Sequence, residues 1–149
     1  GTFPERPKGN GKQTVVQLSQ RHYQFSPAIL PIEKGTRVEF PNQDPDYHNV
    51  LSNSKIKRFD LGRYRKDEKP AAQVFDKPGV VNLYCEIHAH MRGTILVLDT
   101  PYFVTTDEQG KFRIENLPVG KFTLKAYVNE KILEKAVELK EGQTARIDF

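Results

Sequence analysis

Gly79-Val80-Val81-Asn82-Leu83-Tyr84-Cys85-Glu86-Ile87-His88-Ala89-His90-Met91-Arg92-Gly93-Thr94-Ile95-Leu96-Val97-Leu98 is the stretch that decides how this chain folds. Its two ends read as strands. Val80 to Tyr84 follows a Lys77-Pro78-Gly79 turn, and Thr94 to Leu98 is an almost wholly apolar run that belongs in a core. Between them, the loop from Cys85 to Met91 carries a thiol, an imidazole and a thioether. Cys85 is the only cysteine of the 149 residues, and Met91 the only methionine. A loop closed between two paired strands has both ends fixed by ladder hydrogen bonds, so its side chains are held in one arrangement. Such rigidity suits a metal site.

Upstream, Asp46-Tyr47-His48-Asn49-Val50 offers a second imidazole. One Cys, two His and a weak axial Met are the ligand set of an electron-transferring copper site. Thiolate and thioether favour the cuprous ion while imidazole suits both oxidation states, so the mixed set is a compromise between them. The Cys85-x2-His88-x2-Met91 spacing lets Cys85 leave one strand, His88 turn back over the metal, and Met91 approach axially before the next strand. Asn49 is either the amide that ties the His48 segment to this loop or an ordinary turn residue. Gly93 lets the chain re-enter the sheet without a Cβ clash. A lone cysteine is most often a small buried hydrophobe; a His three residues later makes Cys85 a ligand candidate. His22 reads as a strand residue at the surface or in the core. His90 reads as solvent-facing, with competition for the metal or a partner contact as its other uses.

Outward from the loop, short strand-like segments alternate with turns. They are Gln13 to Ser19, His22 to Phe25, Ala28 to Ile32, Thr36 to Phe40 and Ala72 to Phe75. Val38 and Phe40 show the two-residue period of a half-buried strand. Many short strands, Pro/Gly turns and no long amphipathic helix indicate an all-β sandwich. Residues 53–70 break the rhythm as one long irregular loop, with Phe59, Leu61 and Tyr64 available to pin it to the body. Asp99-Thr100-Pro101 marks a boundary. Beyond it, Tyr102 to Thr105, Lys111 to Ile114, Lys121 to Tyr127, Ile132 to Leu139 and Thr144 to Phe149 read as further strands, with turns at Asp107–Gly110 and Leu117–Gly120. The division expected is a flexible lead-in over residues 1–12, a metal-binding domain over 13–99 and a small β-domain over 100–149. About 50 residues is near the lower limit for independent folding, so this last part is expected to pack on the first or to share the long Thr94–Thr105 segment with it.

Composition bounds the function. Hydrophobic content of 37% and charged content of 28% fit a globular chain, and no apolar run approaches the roughly 18 to 20 residues of a membrane span. No secretory signal is visible, and Gly1-Thr2-Phe3-Pro4 reads as either a trimmed or a tagged mature terminus. One cysteine makes no internal disulfide. The net charge of +4 is focused: residues 53–70 hold seven basic against three acidic residues, leaving the remainder balanced. Such a loop steers an acidic protein or an anionic surface, a membrane surface included, or merely keeps the chain soluble. Nucleic acid is not indicated, because no basic stripe or aromatic platform accompanies the charge.

The Cys85-x2-His88-x2-Met91 loop with Arg92-Gly93 behind it, and the segments Pro45 to Val50 and Gly79 to Cys85, resemble the cupredoxins, the family of plastocyanin, azurin and amicyanin. The short loop is most similar to amicyanin's. Over residues 13–99 the resemblance implies a Greek-key sandwich, one copper ion held by His48, Cys85, His88 and Met91, and one-electron transfer in a periplasm or similar extracytoplasmic space. Its implied partner is a redox protein, such as a c-type cytochrome or an oxidoreductase. Ala89 stands where amicyanin-like loops often carry proline, and the basic loop is not a shared cupredoxin feature. In the tail, Thr106-Asp107-x2-Gly110-x-Phe112-x-Ile114-x2-Leu117-Pro118-x-Gly120-x-Phe122-x-Leu124 resembles carboxypeptidase regulatory-like (transthyretin-like) β-domains, which are usually noncatalytic. The alternative role for the same ligands is copper capture, storage or delivery. Copper enzyme catalysis normally needs an open coordination position or a second metal, and only His22 and His90 remain to build one.

Overall fold

A computed structural model of the chain describes residues 14–149. The lead-in expected over residues 1–12, and Gln13, lie outside the described residues. Twelve strands follow in order: β1 (Val15–Gln17), β2 (Ser19–Arg21), β3 (Gln24–Ser26), β4 (Ile29–Glu33), β5 (Thr36–Glu39), β6 (Leu51–Ser52), β7 (Phe59–Asp60), β8 (Gln73–Phe75), β9 (Gly79–Tyr84), β10 (Arg92–Leu98), β11 (Gly120–Val128) and β12 (Lys131–Leu139). No helix occurs among the described residues. The architecture is all-β.

Alternation sets the faces. In β5, Thr36 and Val38 point inward while Arg37 and Glu39 point to solvent. In β10, Gly93, Ile95 and Val97 are buried and the residues between them are half-buried, because this strand lies in mid-sheet with β4 parallel on one side and β9 antiparallel on the other. β2–β3 and β11–β12 form separate two-stranded ribbons, and the two larger sheets have the orders β1-β5-β8 and β4-β10-β9-β6-β7. The chain crosses repeatedly between them, and the parallel pairs β1–β5 and β4–β10 arise from those crossings. Fourteen buried apolar side chains, from Leu18 to Val97, form the core. Burial of a large apolar side chain stabilises by about 1.5–3 kcal/mol relative to exposure. The 53–70 loop is anchored as expected: Tyr64 is in the core, and Phe59 and Leu61 pack against it.

Several expectations differ from the structure. Within Gln13 to Ser19, read as one strand, Leu18 separates β1 from β2, which belong to different sheets, and β7 lies inside the 53–70 stretch read as irregular. His22 and Tyr23, read as strand, form the tip of the β2–β3 hairpin with φ of 53° and 56°. The tail, read as five strands, contains two: β11 and β12 pair over their full length, whereas residues 102–105, 111–114 and 144–149 form none. The apolar residues of those three segments are at most half-buried, and without burial a short strand gains little from pairing. The Asp107–Gly110 turn is present, with Gly110 N–H donating to Asp107 O at 2.9 Å. Tyr127, Glu130 and Ile132, near the tip of the tail hairpin, face Val80, Tyr84, Arg92 and Thr94 across an open groove.

Candidate metal centre

The His48 segment is positioned by a turn and a bridge. Asn42 shapes the turn, its Oδ1 accepting from Asp44 N–H at 2.9 Å and its Nδ2 donating to Asp46 O at 2.8 Å and to Tyr64 O at 3.0 Å. His48 and Tyr64 then exchange backbone hydrogen bonds of 3.1 and 2.9 Å. Tyr64 is itself fixed, donating from its hydroxyl to Phe40 O at 2.6 Å and accepting from Gln20 Nε2. Burial pushes the Tyr64 phenol well above its ordinary range, against the lowering effect of Gln20, so it stays a neutral donor. These contacts leave His48 with 0% exposure.

The Cys85 loop begins where β9 ends, beside β6, with Leu51 opposite Tyr84. Asn49 Oδ1 accepts from Glu86 N–H at 2.7 Å and so joins the two halves of the site. This is the tie considered for Asn49 from sequence. Met91 N–H donates to His88 O at 3.0 Å, which closes the loop as a tight turn. Phe25 lies over Gly93, where an added Cβ would fall 3.1 Å from its ring.

The result is a convergence of donors. His48 Nδ1 and His88 Nδ1 are 3.1 Å apart, and Cys85 Sγ is 4.0 Å from His88 Nδ1. All three atoms lie within 4.8 Å of one another. His48 and Cys85 are buried and His88 is half-buried. Met91, three residues after His88, is buried in the same core cluster as Cys85. Of the remaining histidines, His22 is exposed in the hairpin tip, and His90 Nε2 donates to Tyr23 O at 3.0 Å.

Two neighbours of the site escape the sequence reading. Asp44 Oδ2 lies 2.8 Å from His48 Nε2 and also accepts from Tyr23 N–H at 2.9 Å, while Oδ1 accepts from His22 N–H at 2.8 Å. Burial alone pushes the Asp44 carboxyl up, but the bonds from His48, Tyr23 and His22 outweigh it and hold the group below its ordinary value. Tyr23 packs edge-on against both imidazoles, with ring centroids 5.6 Å from His48 and 5.3 Å from His88. Its hydroxyl donates to Asp46 Oδ2 at 2.6 Å. The sequence signal for Asp44 was a carboxylate four residues before a His in a Pro-containing turn. Tyr23 gave none, since a strand reading places it elsewhere.

No protein-family model and no curated protein matches the sequence. Solved structures do. A Cu-containing nitrite reductase from Thermus scotoductus SA-01 is 27% identical with a TM-score of 0.53, over 57% of this chain and 22% of that one. A purple cupredoxin from Nitrosopumilus maritimus is 26% identical with a TM-score of 0.50, over 55% and 98%. A reduced single-site variant of amicyanin is 20% identical with a TM-score of 0.51, over 60% and 87%. The chain thus spans about a fifth of the reductase and nearly all of the purple cupredoxin. The fold is that of the cupredoxins. One thiolate and two imidazoles converging in a buried pocket are a donor set for a single copper ion.

Proposed function

We propose that this chain is a one-electron carrier whose single copper ion would be held by His48, Cys85, His88 and Met91. The observation that carries this reading is the convergence of His48 Nδ1, His88 Nδ1 and Cys85 Sγ in a pocket clamped by the Asn49–Glu86 bond and the His48–Tyr64 bridge. Bound copper would supply the cuprous/cupric couple, and the protein's part is to hold the donors still. With His48 sealed inside and His88 half-buried, electrons enter and leave by way of His88. Exposed Ile87 and His90 flank His88 in the chain, the His90 ring 6.2 Å from that of His88.

The partner is a redox protein of acidic surface, such as a c-type cytochrome or an oxidoreductase, in a periplasmic or similar extracytoplasmic space. Arg63 pairs with Glu86 of the ligand loop at 2.9 Å, and the Arg65 guanidinium lies over the Tyr47 ring at 5.6 Å. These contacts tie the basic loop to the Cys85 loop and to Tyr47, which supports a reading in which its charge steers encounter. Residues 13–99 form the copper domain and residues 100–149 an accessory, carboxypeptidase regulatory-like β-module. The confinement of the closed core to Leu18–Val97 supports that division.

Titration with cupric ion tests the assignment. Wild type is expected to develop an intense thiolate-to-copper band and Cys85→Ala to lack it; no band in wild type, or the same band in both, refutes the site. Exchange with an acidic redox partner should slow as salt rises. A band accompanied by irreversible redox and ready transfer of metal to an apo-protein would instead establish copper handling.

A further inference from the structure

The carboxylate behind His48 has a more specific task than filling the turn. We propose that Asp44 is a positioning residue that fixes the metal-facing tautomer of His48 and strengthens it as a donor to the cupric state; this rests on the copper-carrier reading above. A carboxylate only accepts hydrogen bonds, and Asp44 is placed to accept three, from His22 N–H, Tyr23 N–H and the His48 ring. The ring proton of neutral His48 therefore sits on Nε2, which leaves the Nδ1 lone pair aimed at His88 and Cys85. Both members of the pair are nearly sealed from solvent, with side-chain exposures of 0% for His48 and 6% for Asp44. Water screens the contact little, so the negative charge is felt through the ring. A carboxylate on the far nitrogen raises the basicity of a ligating imidazole, and the more highly charged metal state gains most from that.

Asp44 also holds the hairpin tip that lays Tyr23 across both imidazoles. A role confined to holding this tip predicts a different outcome, so the two are separable. The test compares wild type, Asp44→Asn and Asp46→Asn. Asp46 serves as the control because its carboxylate accepts from the Tyr23 hydroxyl at 2.6 Å.

In the metal-free proteins near neutral pH, nitrogen-15 NMR of the His48 ring is expected to show Nε2–H in wild type and Asp46→Asn, and a tautomer mixture in Asp44→Asn. In the copper-loaded proteins, Asp44→Asn should raise the cuprous-over-cupric preference about tenfold, which is about 59 mV upward for one electron. Asp46→Asn should move it less than about threefold. An Nδ1–H tautomer in wild type overturns the proposal. So does an Asp44→Asn protein that loses stability in urea but keeps tautomer and potential, or an equal potential shift in both variants. A wild type that holds the Nε2–H tautomer yet takes up no copper supports the positioning role and sinks the carrier reading.

Discussion

Residues 14–99 and residues 100–149 are both β-structure, yet they are built to different standards. The first region seals fourteen apolar side chains in one cluster between two sheets. The second seals none: Phe122, Leu124, Val137 and Leu139 on its hairpin are half-buried, and Val128, Ile132 and Leu133 are exposed. Hydrogen bonding does not separate them, since β11 and β12 pair over nine residues each. Layering does. A second sheet covers the first region's inner face, whereas a lone two-stranded ribbon is marginal in water. Only the covered region can hold several donor atoms within a few ångströms of one another.

This contrast can be broken by experiment. Ile95→Ala, in the middle of β10, should cost about 2–5 kcal/mol in urea unfolding, whereas Ile132→Ala on the tail, at 56% exposure, should stay within about 0.5 kcal/mol. Similar losses at both positions would mean that the two regions share one core. Next in size is Asn49→Ala, which leaves the Glu86 N–H of the ligand loop without its acceptor. A loss of about 1–3 kcal/mol is expected, with a copper band broadened because the loop is no longer tied. Gly93→Ala should cost about 1–3 kcal/mol by pressing a methyl group against Phe25, read from the same unfolding curves. The smallest effect belongs to removal of residues 101–149. If the tail is an accessory, the truncated protein keeps its copper spectrum and unfolding midpoint; a bleached or unfolded product would make the tail part of the site's support.

The legibility of the sequence follows the same line. Thr94–Leu98 reads correctly as a strand because β4 and β9 flank it on both sides, and Val80–Tyr84 because Val81 and Leu83 alternate inward. Cys85, His88 and Met91 stood out because two of these residue types occur once in the chain. His48 is legible as the imidazole needed to complete a Cys/His/Met set, and Asn49 through adjacency to it. Asp44 is not legible from sequence because its aim depends on how Asn42 and Pro45 turn the chain, which no periodicity encodes. Tyr23 was misplaced since its stretch alternates like a strand, while two left-handed residues make it a hairpin tip. In the tail, alternation was read as strand at 102–105, 111–114 and 144–149, but pattern without a covering layer did not produce a ladder.

The pairing of Tyr64 with His48 has a consequence for how the molecule can change over time. One residue of the charge-rich loop is rooted in the core and shares backbone hydrogen bonds with the ligand segment. The loop's exposed Lys55, Lys66 and Lys69 can be exchanged at little cost to the fold. Tyr64 cannot, because it braces the His48 segment, so the loop's surface can drift while the donor cluster stays put.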